Sequence, residues 1–586
     1  MDHMQLKSVY EESLSFLEDK AAETDFRDDL LELQKGLYRE LEYLYSLDSP
    51  DSRHHFFVVI PVADRPSMLR NCVDSLIGQC EDFGYGGTAA GADGSRFFSK
   101  VRLFVVDDSA DEGNRSRTRK IASETAERGI RTRYFGVEEQ AELLRHIGGL
   151  TGGASSRLTG GPGNATLAHK GASVTRNLAY LYLNSFLRRP GADEKVLIYF
   201  LDSDEEFRVK VKKNAAAADI RFINYFYWLD RIFTTTGIQV LTGKVVGDPP
   251  VSPSVMINTF LDDVLLFLET VSGLQPGDTC PFHRGKRPGA FSAEYHDMVE
   301  LFGYRRPGAL EYDCPLSGDH TTEDCFQAFS REVRDFFHGL HPTRVQFYRH
   351  FGRFTKTESA RTVYTGNYVF TPGALKYFIP FAGLNLRMAG PTLGRILKSA
   401  IGARFASANL PLLHRRTNPD SSRVYRSGVS GTEDSIDLSG EFIRQFWGDV
   451  MLFSIESLTN SGFPDIMPGL PEISSVVKAV QGDMWRLYRQ QKAAAAAKAG
   501  LLRERLLQEG GWWNRSGCLK GAVQRIELLC SIVDNSFGEG SETMKSLSAR
   551  VAEGSYADLL IRAISSFRDD EAVWAKLIGA DVAGLT

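Results

Sequence analysis

Lys195 to Phe207 reads KVLIYFLDSDEEF. An unbroken apolar run, Val196 to Leu201, stops at Asp202-Ser203-Asp204. An apolar run of that kind, bounded by charge, predicts a strand of a parallel sheet buried on both faces. Its carboxylates then emerge at the strand's C-terminal end, where open α/β sheets bind ligands. Two aspartates one residue apart can offer one carboxylate to a divalent metal and the other to a nearby hydroxyl. Mg²⁺ and Mn²⁺ prefer such oxygen ligands and leave positions for phosphate oxygens. A lone D-x-D reads equally as a solvated turn, so its surroundings decide.

Upstream, His55 to Pro61 (HFFVVIP) predicts a second buried strand, followed by Val62-Ala63-Asp64-Arg65-Pro66 and a helix from Ser67 through Ile77. Val101 to Val106 predicts a third, ending at Asp107-Asp108-Ser109. A helix near Arg115 to Glu127 leads to a short strand, Arg131 to Phe135. Strands alternating with helices imply a parallel, doubly wound sheet. Ile147 to Asn164 is glycine-rich and reads as a loop; it lacks the residue order of a phosphate-binding P-loop. His169-Lys170-Gly171 then opens a helix carrying Arg176 and Asn177 in its early turns. A helix with a basic start that runs into an acidic strand end can hold a diphosphate between Lys170, Arg176 and a metal.

HFFVVIPVADRP, LFVVDDSAD, HKGASVTRN and LDSDEEF occur here in the order found in GT-A glycosyltransferases. The chain resembles the family-2-like group and retaining relatives such as mannosylglycerate synthase and glucosyl-3-phosphoglycerate synthase, closely over residues 55–210 and more loosely to 416. The resemblance implies an α/β GT-A fold, with a Rossmann-like, mostly parallel sheet, and a nucleotide-sugar donor, either UDP- or GDP-sugar. It implies that Pro61, Val62, Asp64 and Arg65 border the nucleotide and that Asp107 or Asp108 contacts uracil or ribose. Lys170 and Arg176 would steady base or phosphate, Asp202 and Ser203 would face ribose or sugar, and Asp204 would bind Mn²⁺ or Mg²⁺. Asp202, Asp204, Lys170 and Arg176 form the implied catalytic set. A cation with Lys or Arg stabilises the nucleoside diphosphate as its charge develops.

Ala215 to Thr236 predicts an aromatic-rich helix whose stripe reads as core. Ile238 to Val246 (IQVLTGKVV) predicts a strand, with Asp248 in the turn after it. Residues 273–345 read as an insertion. Within them Cys280 and His283 form a C-x-x-H pair that Cys314 and Cys325 would complete as a zinc site; the spacing is not that of a common finger, and the other reading is unlinked loop residues. Thr362 to Thr371 (TVYTGNYVFT) is strand-like but broken at Thr365-Gly366-Asn367. The resemblance puts Gly366 and Asn367 beneath the donor sugar. Arg387 to Thr392 stands where the family often carries an acidic pair; no carboxylate is present, which tilts the reading toward retention or toward a base from elsewhere. Through the resemblance His414, in LPLLHRR, completes the metal shell. The polar Asn418 to Ser439 reads as a lid loop containing Glu433-Asp434. Helices are predicted near 441–458, 474–507, 517–534 and 541–579.

The resulting organisation is a helical segment 1–50, a nucleotide-sugar-binding core 51–272, the insertion 273–345, the rest of the catalytic domain 346–440, and a helical domain 441–586. The composition is that of a soluble globular chain, 586 residues at 42% hydrophobic and 24% charged. A net charge of −5 gives no electrostatic footprint for nucleic acid. No apolar window is long enough for an integral membrane segment. The opening MDHMQLKSVYEESL lacks the basic-then-apolar order of a secretory leader. The 7 cysteines, sparse and odd in number, fit reduced thiols in a cytoplasmic protein. A carbohydrate or small hydroxyl compound would be the acceptor, and the helical ends offer surfaces for a homodimer. Two other readings stand beside the glycosyltransferase: a sugar nucleotidyltransferase, whose usual glycine-rich, lysine-bearing loop is not what PVADRPSM offers, and a non-catalytic interaction protein.

Overall fold

The computed structural model describes residues 3–580 apart from 49, 92–93, 161–167, 188–194, 214–215, 251, 284–311, 313, 317, 339, 341, 344, 351, 379–380, 417–429, 433–434 and 539–540. Most of the expected lid loop, including Glu433-Asp434, and much of the insertion therefore lie outside the described residues.

The chain opens with a helical hairpin, α1 (His3–Glu23) and α2 (Asp28–Ser46), then alternates through β1 (His55–Val62), α3 (Pro66–Phe83), β2 (Val101–Asp107), α4 (Glu112–Glu127) and β3 (Arg131–Phe135). α5 (Val137–Thr151) and α6 (Ala172–Leu187) lead to β4 (Val196–Leu201) and the two-residue β5 (Glu205–Glu206). α7 (Tyr225–Thr235), β6 (Val240–Thr242), β7 (Val245–Gly247) and α8 (Pro253–Ser272) follow. After the insertion, which contributes α9 (Thr322–Asp335), come β8 (Thr357–Ser359), β9 (Asn367–Phe370), α10 (Ala389–Ile401), β10 (Phe405–Ala408) and β11 (Leu412–His414). The C-terminal helices are α11 (Ser439–Asn460), α12 (Leu470–Leu506), α13 (Lys520–Phe537), α14 (Glu542–Glu553), α15 (Ser555–Ser565) and α16 (Phe567–Gly579).

The apolar runs form sheet because their side chains alternate between two apolar layers. In β1, Phe56, Val58 and Ile60 join the layer with α3, α7 and the N-terminal hairpin, while Phe57 and Val59 join the layer with α6, α8 and the C-terminal helices. β4 divides the same way, Leu197, Tyr199 and Leu201 against Ile198 and Phe200. The result is a mixed α/β architecture around an eight-stranded sheet ordered β8-β10-β6-β9-β4-β1-β2-β3. The β3–β2, β2–β1, β1–β4 and β6–β10 pairs are parallel. β9 runs against both β4 and β6, and β8 against β10.

From β1 the chain winds outward through β2 to β3, then returns to place β4 on the other side of β1. Strand order thus reverses between β1 and β4, and a crevice opens at such a point beyond the strands' C-terminal ends. A second sheet, β7-β11-β5, stands at that edge.

Several elements differ from the sequence reading. The helix expected from Ala215 starts at Tyr225, capped by the Asn224 side chain; Ala216–Ile220 instead pairs with Val209–Lys213 as a hairpin, tied by a 2.7 Å bond between Lys210 and Asp219. The expected aromatic core does form, with Tyr225 to Trp228 buried. The strand expected over Ile238–Val246 breaks at Gly243, where a Cβ would lie 2.2 Å from the Asn367 amide, and its halves β6 and β7 enter different sheets. Ile147 to Thr151, read as loop, is the last turn of α5.

The N-terminal hairpin buries Glu18 without a cationic partner among its hydrogen bonds, unlike Glu42, which is paired with Arg53. Glu18 Oε1 accepts from Tyr38 Oη at 2.7 Å, Gln34 Nε2 at 3.2 Å and Trp228 Nε1 at 3.3 Å. Burial pushes its carboxyl from 4.5 up to about 8, against the lowering by those donors. The folded chain therefore holds a proton that the unfolded chain has released above 4.5, and stability falls as pH rises from 4.5 to about 8. Glu18→Gln mimics the protonated acid. Comparing urea midpoints across that window, the variant is expected to lose stability less steeply than the parent, by up to about 1.4 kcal/mol per pH unit; identical slopes would show that Glu18 is ionised in the fold.

Candidate active site

A cleft of about 510 Å³ lies at the crevice beyond β1 and β4. Pro61, Val62 and Ala63 supply one wall, and Asp202, Ser203 and Asp204 the floor. The N-terminal residues of α6, Gly171 to Ser173, and those of α10, Met388 to Pro391, both face it. Helix N-termini present unpaired N–H groups and the positive end of the helix dipole, which suits an anion. Arg65, Arg176, Lys244, Arg387, Arg416 and Arg444 also line it, whereas its lining carboxylates among the described residues are Asp108, Asp202 and Asp204.

The second sheet sets the floor. β11 pairs antiparallel with β5, with His414 opposite Glu205, and parallel with β7, with Gly247 opposite His414. Arg415 N donates to the Asp204 carbonyl at 2.9 Å, locking the aspartate to the histidine strand. His414 Nε2 then stands 3.6 Å from Asp204 Oδ2. Its Nδ1 lies 2.6 Å from the Asp248 carbonyl, so Nδ1–H is the donor and Nε2 is the nitrogen turned toward the aspartate. Asp248 also accepts from Arg416 N at 2.8 Å. It is a positioning residue for both.

An ion held by Asp204 and His414 fits this donor set: one carboxylate and one oriented imidazole, with remaining positions open to phosphate oxygens or water. Burial works to raise the Asp204 carboxyl, but His414, Arg65 and Arg416 outweigh it and hold the group well below the usual carboxylate range. Arg65 Nη1 stands 3.3 Å from Asp204 Oδ2. Asp202 differs. Packing at the floor raises it and Asp204 adds to that, while Arg176 Nη2, 2.6 Å away, pulls it down. Its side chain keeps 39% of its surface exposed, so it faces the cleft rather than the core. Glu205, fully buried behind them, accepts from Tyr364 Oη at 2.7 Å and is pushed well up by burial, with Asp202 adding to the rise.

Of the residues singled out in the sequence, Pro61, Val62, Arg65, Asp108, Arg176, Asp202, Ser203, Asp204 and His414 meet at this cleft. Others do not. Lys170 is 3% exposed and its Nζ is 2.5 Å from Asp108 Oδ1, an ion pair within the wall rather than a phosphate contact. Asp107 points inward, accepting from Tyr134 Oη at 2.8 Å and Ser109 N at 2.9 Å. Asp64 closes the turn ahead of α4, accepting from Ala110 N at 3.0 Å, Asp111 N at 3.1 Å and Asn114 Nδ2 at 3.1 Å, with His169 2.6 Å away. Asn367 donates to the Lys244 and Leu410 carbonyls, each at 2.9 Å, and is a joint between strands. Gly366 touches no cleft surface; a Cβ there would lie 2.3 Å from Glu205 Oε1, so its small size lets the chain close over that acid.

Sequence reasoning missed Lys244, Arg416 and Arg444 as lining residues. The first had a visible signal, a Gly-Lys step inside an apolar run. Arg444 had none, because it comes from α11, and reaches the cleft through bonds to Asn385, 3.1 Å to its carbonyl and 3.1 Å to its Oδ1.

No protein-family profile matches the chain, and no curated protein does. Among solved structures, mouse xyloside xylosyltransferase 1 in its apo form aligns at 14% identity over 40% of this chain and 62% of that one, with a TM-score of 0.18. The alignment thus spans less than two thirds of that protein, and at that score it carries no argument.

Gly247 has φ 86° and would place a Cβ 2.6 Å from the His414 carbonyl. Gly247→Ala must part β7 from β11 or strain the backbone. The expected loss is about 1–3 kcal/mol of stability, read as a lower urea midpoint; an unchanged midpoint would show that this contact does not hold the second sheet.

Proposed function

We propose that this chain is a metal-assisted glycosyltransferase that moves a sugar from a nucleoside-diphosphate sugar to a hydroxyl acceptor, with retention at the anomeric carbon. The observation that carries the reading is the meeting of Asp204 and His414 at the sheet's switch point, in a cleft rimmed by arginines and two helix N-termini. The sheet order and the position of the D-x-D at the end of β4 agree with the GT-A resemblance of the sequence.

Asp204 and His414 would hold Mn²⁺ or Mg²⁺, which when bound draws charge off the leaving diphosphate. Arg65 stands 3.3 Å from Asp204 and Arg416 lines the same part of the cleft, so both guanidinium groups are placed to turn to phosphate oxygens as the donor enters. The α6 and α10 N-termini add N–H donors on either side. Asp202, fixed by Arg176, is placed to accept from a sugar or ribose hydroxyl. The wall opposite the floor, Asn385 to Pro391, contributes Arg387 and no carboxylate. An inverting transfer needs a base on the face away from the leaving group, and the lining carboxylates among the described residues all lie on the strand-end side. That distribution favours retention.

The test has two stages. UDP and GDP are titrated with and without Mn²⁺ while thermal unfolding is followed. One nucleotide with Mn²⁺ is expected to stabilise the protein, by about 2.7 kcal/mol at a hundredfold excess over Kd. Asp204→Ala and His414→Ala are each expected to erase the metal-dependent part. Candidate sugar nucleotides are then incubated with the protein, and the product anomer is assigned by NMR. An inverted product would overturn retention alone. Pyrophosphate release from a nucleoside triphosphate and a sugar phosphate would establish a nucleotidyltransferase. Absence of any nucleotide-dependent shift would remove the catalytic reading.

A further inference from the structure

Away from the cleft, the insertion gathers three cysteines. The sulfurs of Cys280, Cys314 and Cys325 lie within 4.8 Å of one another, all three residues are buried, and no disulfide joins them. Backbone pairing brings their segments together. Thr279 and Thr321 form an antiparallel bridge, Cys280 N donates to the His320 carbonyl at 3.2 Å, and Thr322 N donates to the Asp278 carbonyl at 2.7 Å. Cys325 sits in the first turns of α9, so a rigid element carries the third sulfur. A nitrogen lies beside the group: His320 Nε2 is 3.3 Å from Cys314 Sγ, and its Nδ1 is 2.9 Å from the Gly318 carbonyl. With Nδ1–H donating to that carbonyl, the Nε2 lone pair faces the sulfur, the orientation that metal-bound histidines take.

We infer that Cys280, Cys314, Cys325 and His320 bind a structural Zn²⁺ ion. Zinc bound tetrahedrally at about 2.3 Å to sulfur and about 2.0–2.1 Å to nitrogen sets its sulfurs roughly 3.8 Å apart and each sulfur–nitrogen pair roughly 3.5 Å apart. The sulfur triangle, within 4.8 Å, and the Cys314–His320 separation of 3.3 Å are near those values, and the His320 ring swings toward Cys280 and Cys325 to complete the shell. Three thiols cannot all be satisfied by disulfides, whereas three thiolates and one imidazole close a zinc tetrahedron with no open position, which makes the site structural rather than catalytic. Binding releases three protons, one from each thiol, and leaves the histidine neutral.

The ion would sit where the insertion meets the C-terminal helices. On the same stretch of α9, Phe326 stacks on Trp513 with ring centroids 5.6 Å apart, and Arg525 of α13 donates to Ser330 Oγ at 3.0 and 3.1 Å. Beside the cysteines, Phe282 and Tyr312 pack edge to face at 5.2 Å, and Phe267 stacks on Phe282 at 5.0 Å. Fixing the segments around Cys280 and Cys314 to α9 therefore also fixes the surface that the tail packs against.

The full chain, expressed with zinc in the medium and desalted, is expected to carry about one zinc per molecule by plasma mass spectrometry. Cobalt substitution is expected to give the strong visible bands of tetrahedral Co²⁺ and a near-ultraviolet sulfur-to-cobalt band. Cys314→Ser is expected to retain less than a tenth of the zinc. His320→Ala is expected to lose zinc to a competing chelator at least about tenfold more readily, while His283→Ala, the other histidine near Cys280 in sequence, holds it as the parent does. Asp204→Ala is expected to keep its zinc, which separates this ion from any in the cleft. Should Cys314→Ser fail to fold, the parent decides: a mercurial thiol reagent must release zinc in step with thiol modification. The proposal is overturned by a parent chain without zinc or a cobalt spectrum, by a thiol titration two short that reveals a disulfide, or by zinc retained in folded Cys314→Ser. Loss with His283→Ala but not with His320→Ala would overturn the assignment of the fourth ligand.

Discussion

The cleft depends on a backbone register rather than on any side-chain pair. Setting His414 opposite Glu205 puts the end of one strand against the residue that follows Asp204, and the Arg415 amide then binds the Asp204 carbonyl itself. Two side chains far apart in sequence are thereby held as neighbours by main-chain hydrogen bonds, which have little freedom to drift. The strands involved are short, yet joining them is inexpensive in entropy. Closure cost rises only with the logarithm of loop length, so a long insertion between β7 and β11 adds little to it. Gly247 allows the third strand to approach so closely, and Asp248, the next residue, turns the imidazole so that one nitrogen faces the floor. Position and tautomer thus come from the same three-stranded unit.

The acids of the DSDEE run show how a low-dielectric edge treats like charges placed side by side. They cannot all ionise at equal cost, so their surroundings separate them. Asp204 has His414, Arg65 and Arg416 about it and stays charged. Asp202 has one arginine and a share of solvent. Glu205 accepts from a tyrosine hydroxyl and is driven toward its neutral form by burial. Glu206 is paired with Arg415 and Arg208 away from the cleft, so the negative charge that the run presents to the cleft is that of Asp202 and Asp204, opposite a basic rim. A floor and rim of opposite sign suit a ligand that brings both a cation and a polyanion, because each half compensates for the charge left uncovered by the other.

How far the sequence could be read follows from the same physics. Buried parallel strands are legible because both faces are apolar, and β1, β2, β3 and β4 all stand where their runs placed them. That Asp204 and His414 meet was legible as order along the chain. Which of two adjacent acids faces outward was not. Asp107 and Asp108 are neighbours at a strand end, and alternation sends one inward to Tyr134 and the other to the cleft wall; neither composition nor spacing records which. Asp64, Asn367 and Lys170 look like ligands for the reason that makes them structural: a buried backbone end needs polar side chains, and a buried carboxylate needs a cation. The hairpin at 209–220 was hidden because its alanines carry no strand signal of their own, and its pairing is tied in part by Asp219 reaching both Lys210 and Arg415.

The helical tail belongs to this argument too. One apolar core runs from Phe57 and Phe104 on the sheet through α8 to Trp447, Leu529 and Trp574, so these helices are layered onto the sheet rather than tethered to it. α11 reaches the cleft directly. Arg387, on the wall without carboxylates, pairs with the fully buried Glu441, and Gly448 packs so close to the Arg387 carbonyl that a Cβ would stand 2.5 Å from it. Arg444 holds Asn385 two residues earlier. One helix face therefore fixes the segment from Asn385 to Met388, whose left-handed turn at Met388 starts α10 and aims its N-terminus at the floor. A ligand in the cleft meets sheet residues on one side and a wall positioned by the tail on the other. The tail's packing is thus part of what gives the site its width, and changes deep in α11 act on the cleft through Arg387 without touching anything bound there.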